Sequence, residues 1–411
     1  MTQRHLAVRI REAAADTPVL ILSGARQTGK STMAQGLCRE GLFQHYVTLD
    51  DAVTLAAAKN DPAGFLDGFS GPTVIDEAQH APELFPAIKA AVDRNRKPGR
   101  FLLTGSANVL LLPAISESLA GRMEIFTLRP LSQGEIRGTK EGFLSMAFAE
   151  KAPKSREYPP ERNLIGSALS GGFPEALERK DARRRAWFSA YVTAVLQRDI
   201  RDLAHIEGLT DLPRLLALLA ARAASLINFS DVSRALAMPL TTLRRYLTLL
   251  ETAYLTQFLP AWSGDLGRRL VKAPKLMLCD TGLLSHLVGL TPERLQSHPE
   301  LSGPLVENFV FLEMQKQAGW DANPPSLFHF RSHTGQEVDL VLENSAGKLV
   351  GIEVKASATV DAKAFRGLQS LAEATKRRFH RGIVLYAGRQ TLPFGSGMFA
   401  MPISSLWEAG A

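Results

Sequence analysis

Gly24-Ala25-Arg26-Gln27-Thr28-Gly29-Lys30-Ser31 reads G-x-x-x-x-G-K-[ST], the pattern of a loop that cradles the phosphates of ATP. Its glycines let backbone N–H groups curl round phosphate oxygens, and the helix beginning at Thr32 adds a positive dipole end. Lys30 would reach the β- and γ-phosphates, and the Ser31 hydroxyl would ligate Mg²⁺. A glycine-rich turn without a ligand would not need the strand Val19-Leu20-Ile21-Leu22 before it and the helix Thr32 to Arg39 after it. Further on, the apolar run Pro72-Thr73-Val74-Ile75 ends in Asp76-Glu77. Asp76 is placed to hold the water shell of Mg²⁺, and Glu77 to orient and polarise an attacking water. The plainer alternative is a solvated strand end.

Two further features belong to the same site. Phe101 to Thr104 can insert as a strand between the loop strand and the Asp76 strand, which points Thr104, Ser106 or Asn108 at the γ-phosphate. Ser106 is the favoured residue, and capping of the next helix is the alternative for all three. A helical stretch, Val109 to Ala120, then ends in Gly121-Arg122 just before Glu124 to Leu128. This order resembles AAA+ ATPases, whose finger arginine sits there. The other reading of Gly121-Arg122 is a helix C-cap with its arginine near the helix dipole.

The second half carries two more constellations. Phe229-Ser230-Asp231-Val232 starts a helix with Ser230 as N-cap, Ala237-Met238-Pro239 makes a turn, and a second helix begins at Thr241. Leu243, Leu247 and Leu250 form its apolar stripe, which leaves Thr242, Arg244, Arg245 and Thr248 for a DNA groove. Strands at Tyr254–Leu259 and Lys275–Leu278 would flank a wing carrying Trp262, Arg268, Arg269 and Lys272. The alternative is a winged helix that only packs domains or binds protein. Further along, Asp339 and Glu353-Val354-Lys355 lie on successive strands, with Glu307 on the helix before them. Asp…Glu-x-Lys resembles the PD-(D/E)xK nuclease core. The x residue puts Glu353 and Lys355 on one strand face. Asp339 and Glu353 could then hold Mg²⁺, with Lys355 activating water and Glu307 an outer ligand. Such folds also persist as inert docking modules.

The elements that must position these residues are legible as patterns. Short β-rich runs alternate with helical stretches over the first 130 residues, the sign of a parallel sheet with crossover helices. Residues 138–163 are polar and rich in Lys, Glu and Pro, a boundary or long loop; 164–260 read as almost wholly helical. A long helix, Leu305 to Gln317, precedes strands around Phe328-Arg331, Val338-Glu343 and Leu349-Lys355. The expected division is 1–137 ATPase core, 138–210 linker and helical lid, 211–290 winged helix, and 291–411 nuclease-like. The fold class is α/β.

Composition narrows the field. Of 411 residues, 45% are hydrophobic and 22% charged, which excludes wholesale disorder. The net charge of +7 permits a polyanionic partner without demanding one. Residues 211–290 hold nine Lys and Arg against five Asp and Glu, so the excess is concentrated where DNA contact is expected. Two distant cysteines, Cys38 and Cys279, speak against disulfides or structural zinc and suit a reducing cytosol. Met1-Thr2-Gln3-Arg4-His5 opens no signal segment, and the best apolar run, Leu215 to Leu226, is cut by Arg222. A cytoplasmic protein with no membrane contact is expected.

With these residues in hand, the chain resembles a large family of bacterial and archaeal AAA+ superfamily ATPases with a C-terminal region of originally unknown function. The resemblance runs through Gly24 to Ser31, Leu49-Asp50, Val74 to Gln79, Leu103 to Ser106, Leu119 to Arg122 and Leu128 to Leu131. It continues through Gly171 to Glu175, Arg198-Asp199-Ile200, Asp280 to Leu283 and Glu337-Val338-Asp339. It implies an ATPase, with no agreed cellular task. The residues together point to an ATP- and Mg²⁺-dependent homo-oligomer whose winged helix and C-terminal set act on duplex or branched DNA. The rival is a signalling or scaffold ATPase binding proteins. A protein remodeller would need an aromatic pore loop, for which Phe65 is the one candidate, and core packing explains Phe65 better.

Overall fold

The computed structural model describes residues 2–106, 119–158, 163–201, 210–265, 267, 269 and 272–408. The first five strands are β1 (Val19–Ser23), β2 (His45–Thr48), β3 (Thr73–Asp76), β4 (Phe101–Gly105) and β5 (Met123–Thr127). All pair in parallel, in the order β2-β3-β4-β1-β5. β1, β3 and β4 are buried along their whole length. A parallel sheet is covered on both faces, so its inner strands read as unbroken apolar runs. Met33, Ala34 and Leu37 of the helix Lys30–Arg39 cover one face with Leu20, Leu22 and Val74. Leu84, Phe85, Ile88 and Val92 cover the other with Ile21, Ile75 and Leu103. β4 separates β1 from β3, the insertion expected from the spacing of the motifs. Asn108 and the helix expected over Val109 to Ala120, as far as residue 118, lie outside the described residues.

A three-stranded antiparallel sheet follows, β6 (Ser225–Leu226), β7 (Thr256–Leu259) and β8 (Lys275–Leu278), in the order β6-β8-β7. Helices Phe229–Ala235 and Leu240–Thr252 stand between β6 and β7. Asn228, not Ser230, caps the first of these: its side chain accepts from the N–H of Ser230 and Asp231. The cap must be extended while the helix begins behind it, and Asn228 (φ −106°, ψ 107°) is.

The C-terminal sheet contains β9 (Ser326–Arg331), β10 (Glu337–Glu343), β11 (Leu349–Lys355), β12 (Phe379–Tyr386), β13 (Leu392–Pro393) and β14 (Met398–Pro402), in the order β13-β14-β12-β11-β10-β9. β11, β12 and β14 run parallel; β9, β10 and β13 pair antiparallel to their neighbours. The helix Ser302–Trp320 precedes β9, and Arg366–Thr375 lies between β11 and β12.

Two connections pack against the C-terminal sheet. The polar stretch 138–163, expected as a boundary or long loop, is held in place where it is described. It forms a helix at Phe143–Phe148, and buried Arg381 of β12 donates to the carbonyls of Met146, Ala147, Ala149 and Lys151 at 2.9–3.0 Å. Tyr158 and Arg156 bond to the backbone of Arg389 and Thr391. Where it is described, the segment between β7 and β8 does not project as a wing. Trp262 is 5% exposed, its backbone N–H donates to His329 O (2.6 Å), and the His329 backbone N–H donates to Pro260 O (2.9 Å). Burying an indole against a free sheet edge outweighs exposing it. One apolar cluster takes in buried residues from Phe143 to Trp407, and Trp262 and Phe330 belong to a second on the C-terminal sheet. Among the described residues no helix is long and apolar enough to cross a membrane.

Candidate functional site

The phosphate loop leaves the end of β1 under tight constraint. Gly24 has φ 147°, and a Cβ there would lie 2.2 Å from the Leu128 carbonyl oxygen, so only glycine lets the loop cross the end of β5. Gly29 (φ 93°) hands the chain into the helix Lys30–Arg39. Lys30 is buried, with Nζ donating to Gly24 O (2.9 Å) and Ala25 O (2.8 Å), and Thr28 Oγ1 donates to Ala25 O (2.9 Å). Arg26 and Ser31 are half-buried; Gln27 and Thr32 are exposed. Arg4, which carried no sequence signal, clamps the loop from outside: it donates to Thr28 O (2.7 Å) and Arg129 O (2.6 Å), and its Nε pairs with Glu135 (3.0 Å).

At the end of β3, Asp76 is 4% exposed and accepts from Thr104 Oγ1 and from the Tyr46 hydroxyl (2.6 Å). The Ser31 and Gln35 side chains lie beside the same hydroxyl and work against the rise of its pKa. Burial and then the Asp76 contact push the phenol well above its ordinary value. Glu77 sits in the left-handed region (φ 56°, ψ 42°), a strained setting for a residue with a Cβ and one that concentrates at working sites. Its N–H donates to Thr104 Oγ1 (3.2 Å), and its carboxylate accepts from the Gln79 amide, which also donates to Ser106 Oγ (3.3 Å). Ser31, Asp76, Glu77, Thr104 and Ser106 are thus brought together. Thr104 touches both acids; Ser106 is linked to Glu77 through Gln79. Hard oxygen donors on Ser31 and Asp76 suit Mg²⁺.

Arg122 lies at the other end of the sheet. Its carbonyl accepts from the Val19 N–H (3.2 Å), and β5 begins next to it. Four strand steps of about 3.3 Å separate that edge from the loop. The guanidinium grips Asp93 at 2.6 and 3.0 Å and bonds Ala120 O at 3.0 Å. From there it does not reach its own chain's phosphate loop, and in this chain it serves to tie the start of β5 to Asp93.

The C-terminal residues also meet, around an unexpected cation. Lys275 of β8, 4% exposed, donates to Glu307 Oε1 (2.5 Å) and Asp339 Oδ1 (3.3 Å). Asp339 Oδ2 accepts from the Val354 N–H (2.9 Å), and Lys355 pairs with Glu353 (2.8 Å). The β10–β11 register that pairs Leu340 with Ile352 sets Asp339 opposite Glu353 one step on. Burial, and then the Asp339 charge, push Glu307 up to about 8 and Glu353 up to about 7. Burial works against the Lys275 charge, but Glu307 and Asp339 more than offset it and raise its pKa. Among the described residues no group of three or more His, Cys, Asp or Glu is disposed to hold a metal ion. The expected Mg²⁺ set does not fit as it stands: an ammonium already bridges Glu307 and Asp339.

On the helix Leu240–Thr252, Leu243, Leu247 and Leu250 are buried, whereas Arg244, Arg245 and Thr248 are exposed and Thr242 half-buried. Arg269, expected at DNA, is instead an internal strut. Its guanidinium pairs with Glu343 (2.7 Å) and stacks near Trp262 and Phe328, with 13% of the side chain exposed. Arg268 lies outside the described residues. The Gly171-Gly172 and Asp280 motifs are structural: buried Asp280 accepts from the N–H of Gly172 (2.7 Å) and Leu283 (2.9 Å).

The parallel sheet, its loop and the acids on the strand two places away define an AAA-type P-loop domain, and residues 16–137 match the AAA domain family model. Residues 161–294 and 302–406 match two domains of unknown function, DUF8612 and DUF4143. An uncharacterised protein of Mycobacterium tuberculosis is 30% identical over 416 aligned positions, which cover 100% of this chain and 85% of that one. The chain belongs to that family of proteins, with an N-terminal AAA domain followed by these two regions. A Haemophilus influenzae protein is 26% identical over 226 residues, 53% of this chain and 51% of that one. Among solved structures, the Thermotoga maritima RuvB Holliday junction branch migration motor shows 17% identity and a TM-score of 0.29, covering 61% of this chain and 86% of that one. AMPPCP-bound DnaA from Aquifex aeolicus shows 14% identity and a TM-score of 0.26, covering 59% and 86%.

Proposed function

We propose that the chain binds ATP with Mg²⁺ and hydrolyses it. The observation that carries this is the meeting of Ser31, Asp76, Glu77 and Thr104 beside a Lys30-bearing loop. Lys30 would leave its two loop carbonyls to contact the phosphates, Ser31 and Asp76 would hold Mg²⁺, and Glu77, released from Gln79, would orient the water. Mg²⁺ would supply neutralisation of charge on the transferring phosphoryl group. Lys30→Ala should abolish nucleotide binding, whereas Glu77→Gln should bind and fail to turn over. Equal loss of binding in both variants would remove Glu77 from the mechanism.

Action on DNA is supported by the helix pair Phe229–Ala235 and Leu240–Thr252 set beside the β6-β8-β7 sheet, the order of a winged helix, with Arg244 and Arg245 on the exposed face. DNA should stimulate ATP hydrolysis, less so at higher salt, because phosphate contacts release counterions. For the C-terminal region, the order helix, three strands, helix, strand supports a PD-(D/E)xK-like fold. The Lys275 bridge favours its use as a docking module over a nuclease.

A further inference from the structure

Tyr46 stands outside the phosphate-loop and Asp-Glu motifs, yet its hydroxyl donates to Asp76 at 2.6 Å and lies beside the Ser31 side chain, so it faces both residues assigned to the cation. The contact is built by the fold. β2 pairs with β3 so that Tyr46 lies beside Val74, and the ring packs at the edge of the core under the helix Lys30–Arg39. From there it reaches one turn of that helix, at Ser31 and Gln35, and the end of β3, at Asp76. Thr104 holds the other oxygen of Asp76, so the carboxylate is fixed from two sides.

We infer that Tyr46 is a positioning residue for the divalent cation that accompanies ATP: its hydroxyl sets the spacing and orientation of Ser31 and Asp76. This rests on the ATP reading. A cation needs its ligands held close to their bound geometry, and a carboxylate free to rotate binds it less tightly. A phenylalanine at this position keeps the ring packing and removes only the hydroxyl.

The test is Tyr46→Phe in the full chain, with thermal melting to confirm the fold. Mn²⁺ binding is measured by electron paramagnetic resonance in the presence of a non-hydrolysable ATP analogue. Binding of the same analogue in EDTA is measured separately. The variant should bind the analogue in EDTA as the wild type does and bind Mn²⁺ about tenfold more weakly, the scale of one hydrogen bond to a charged group. Tyr46→His, which retains a polar atom on a ring, should fall between the two. Unchanged or tighter Mn²⁺ binding in Tyr46→Phe overturns the inference while leaving the ATP site intact. A wild-type chain that binds no analogue overturns the ATP reading, and this inference with it. Equal weakening of analogue binding with and without metal would make Tyr46 a support of the loop and also overturn the inference.

Discussion

Replacing Lys275 by methionine removes the one cation that bridges Glu307 and Asp339 and leaves the volume nearly filled. Lys275 is 4% exposed and each acid 15%, so little water reaches the gap. Each lost charge-assisted hydrogen bond is worth about 1.5–3 kcal/mol, and removing one partner of a buried ion pair costs about 3–5 kcal/mol in total. The loss should depend on pH. Glu307 is raised from an ordinary 4.5 to about 8, so its contribution to stability is fully present below 4.5 and is lost as pH rises through 8. Lys275 holds the Glu307 pKa down, so without it the carboxyl is pushed further up: near pH 5.5 it carries its proton and tolerates the missing ammonium, whereas near pH 8.5 it must keep a proton that the wild type gives up, or hold a buried charge unpaired. The destabilisation should be about 3–5 kcal/mol at pH 8.5 and roughly half that at pH 5.5. Urea unfolding followed by tryptophan emission reads it, because Trp262 and Trp407 are buried in the same half of the molecule. Adding Glu307→Gln to Lys275→Met should recover part of the loss. A loss under about 1 kcal/mol at both pH values, or one larger at pH 5.5, would refute the account of the bridge.

Arg122→Ala should keep ATP binding and lower hydrolysis by a factor on the order of 10³, and mixing it with Glu77→Gln should restore activity, since each copy supplies what its neighbour lacks. A monomer with full activity would refute this. Arg244→Ala should weaken DNA binding and reduce the salt slope by about one, whereas Arg269→Ala should leave the slope unchanged and cost about 2–4 kcal/mol of stability. Similar slopes for both would contradict the placement of Arg269 between Trp262 and Glu343. Gly24→Ala should abolish nucleotide binding, because its Cβ meets the Leu128 carbonyl; normal binding of an ATP analogue would show that the loop can move aside.

What could be read in the sequence was local. Gly24 to Ser31 and Asp76-Glu77 are contiguous motifs, and β1 to β5 are short apolar runs whose type follows from length and branching. The place of β4 between β1 and β3 followed from the distance between those motifs. Tyr46, Arg4 and Lys275 escaped because each is a single polar residue whose partner lies on another element. Lys275 is the plainest case, since 32 residues separate it from Glu307 and 64 from Asp339. Nothing near it marks its charge as buried. Arg269 misled for the complementary reason: a basic residue between two strands looks solvated until a sheet edge with Phe328 and Glu343 is brought against it.

The helix Ser302–Trp320 joins the two sites physically. Near its C-terminal end, Lys316 donates to Leu131 O (2.9 Å), Glu313 accepts from the Gln133 N–H (2.8 Å), and Gln315 accepts from Arg129 (2.7 Å). These hold the segment that leaves β5, and Arg4 ties that segment to the phosphate loop. Tyr254, just ahead of β7, adds a second tie through Ser23 Oγ (2.9 Å) at the end of β1. Closer to its N-terminal end the same helix carries Glu307, about 9 Å from Glu313 at 1.5 Å per residue. A hydrogen-bonded helix is stiff on that scale. A shift of the loop that pulls on Arg129 to Gln133 while these hydrogen bonds hold therefore carries the helix, and Glu307 with it, relative to Lys275. The Lys275 bridge is the buried contact at the far end of that connection.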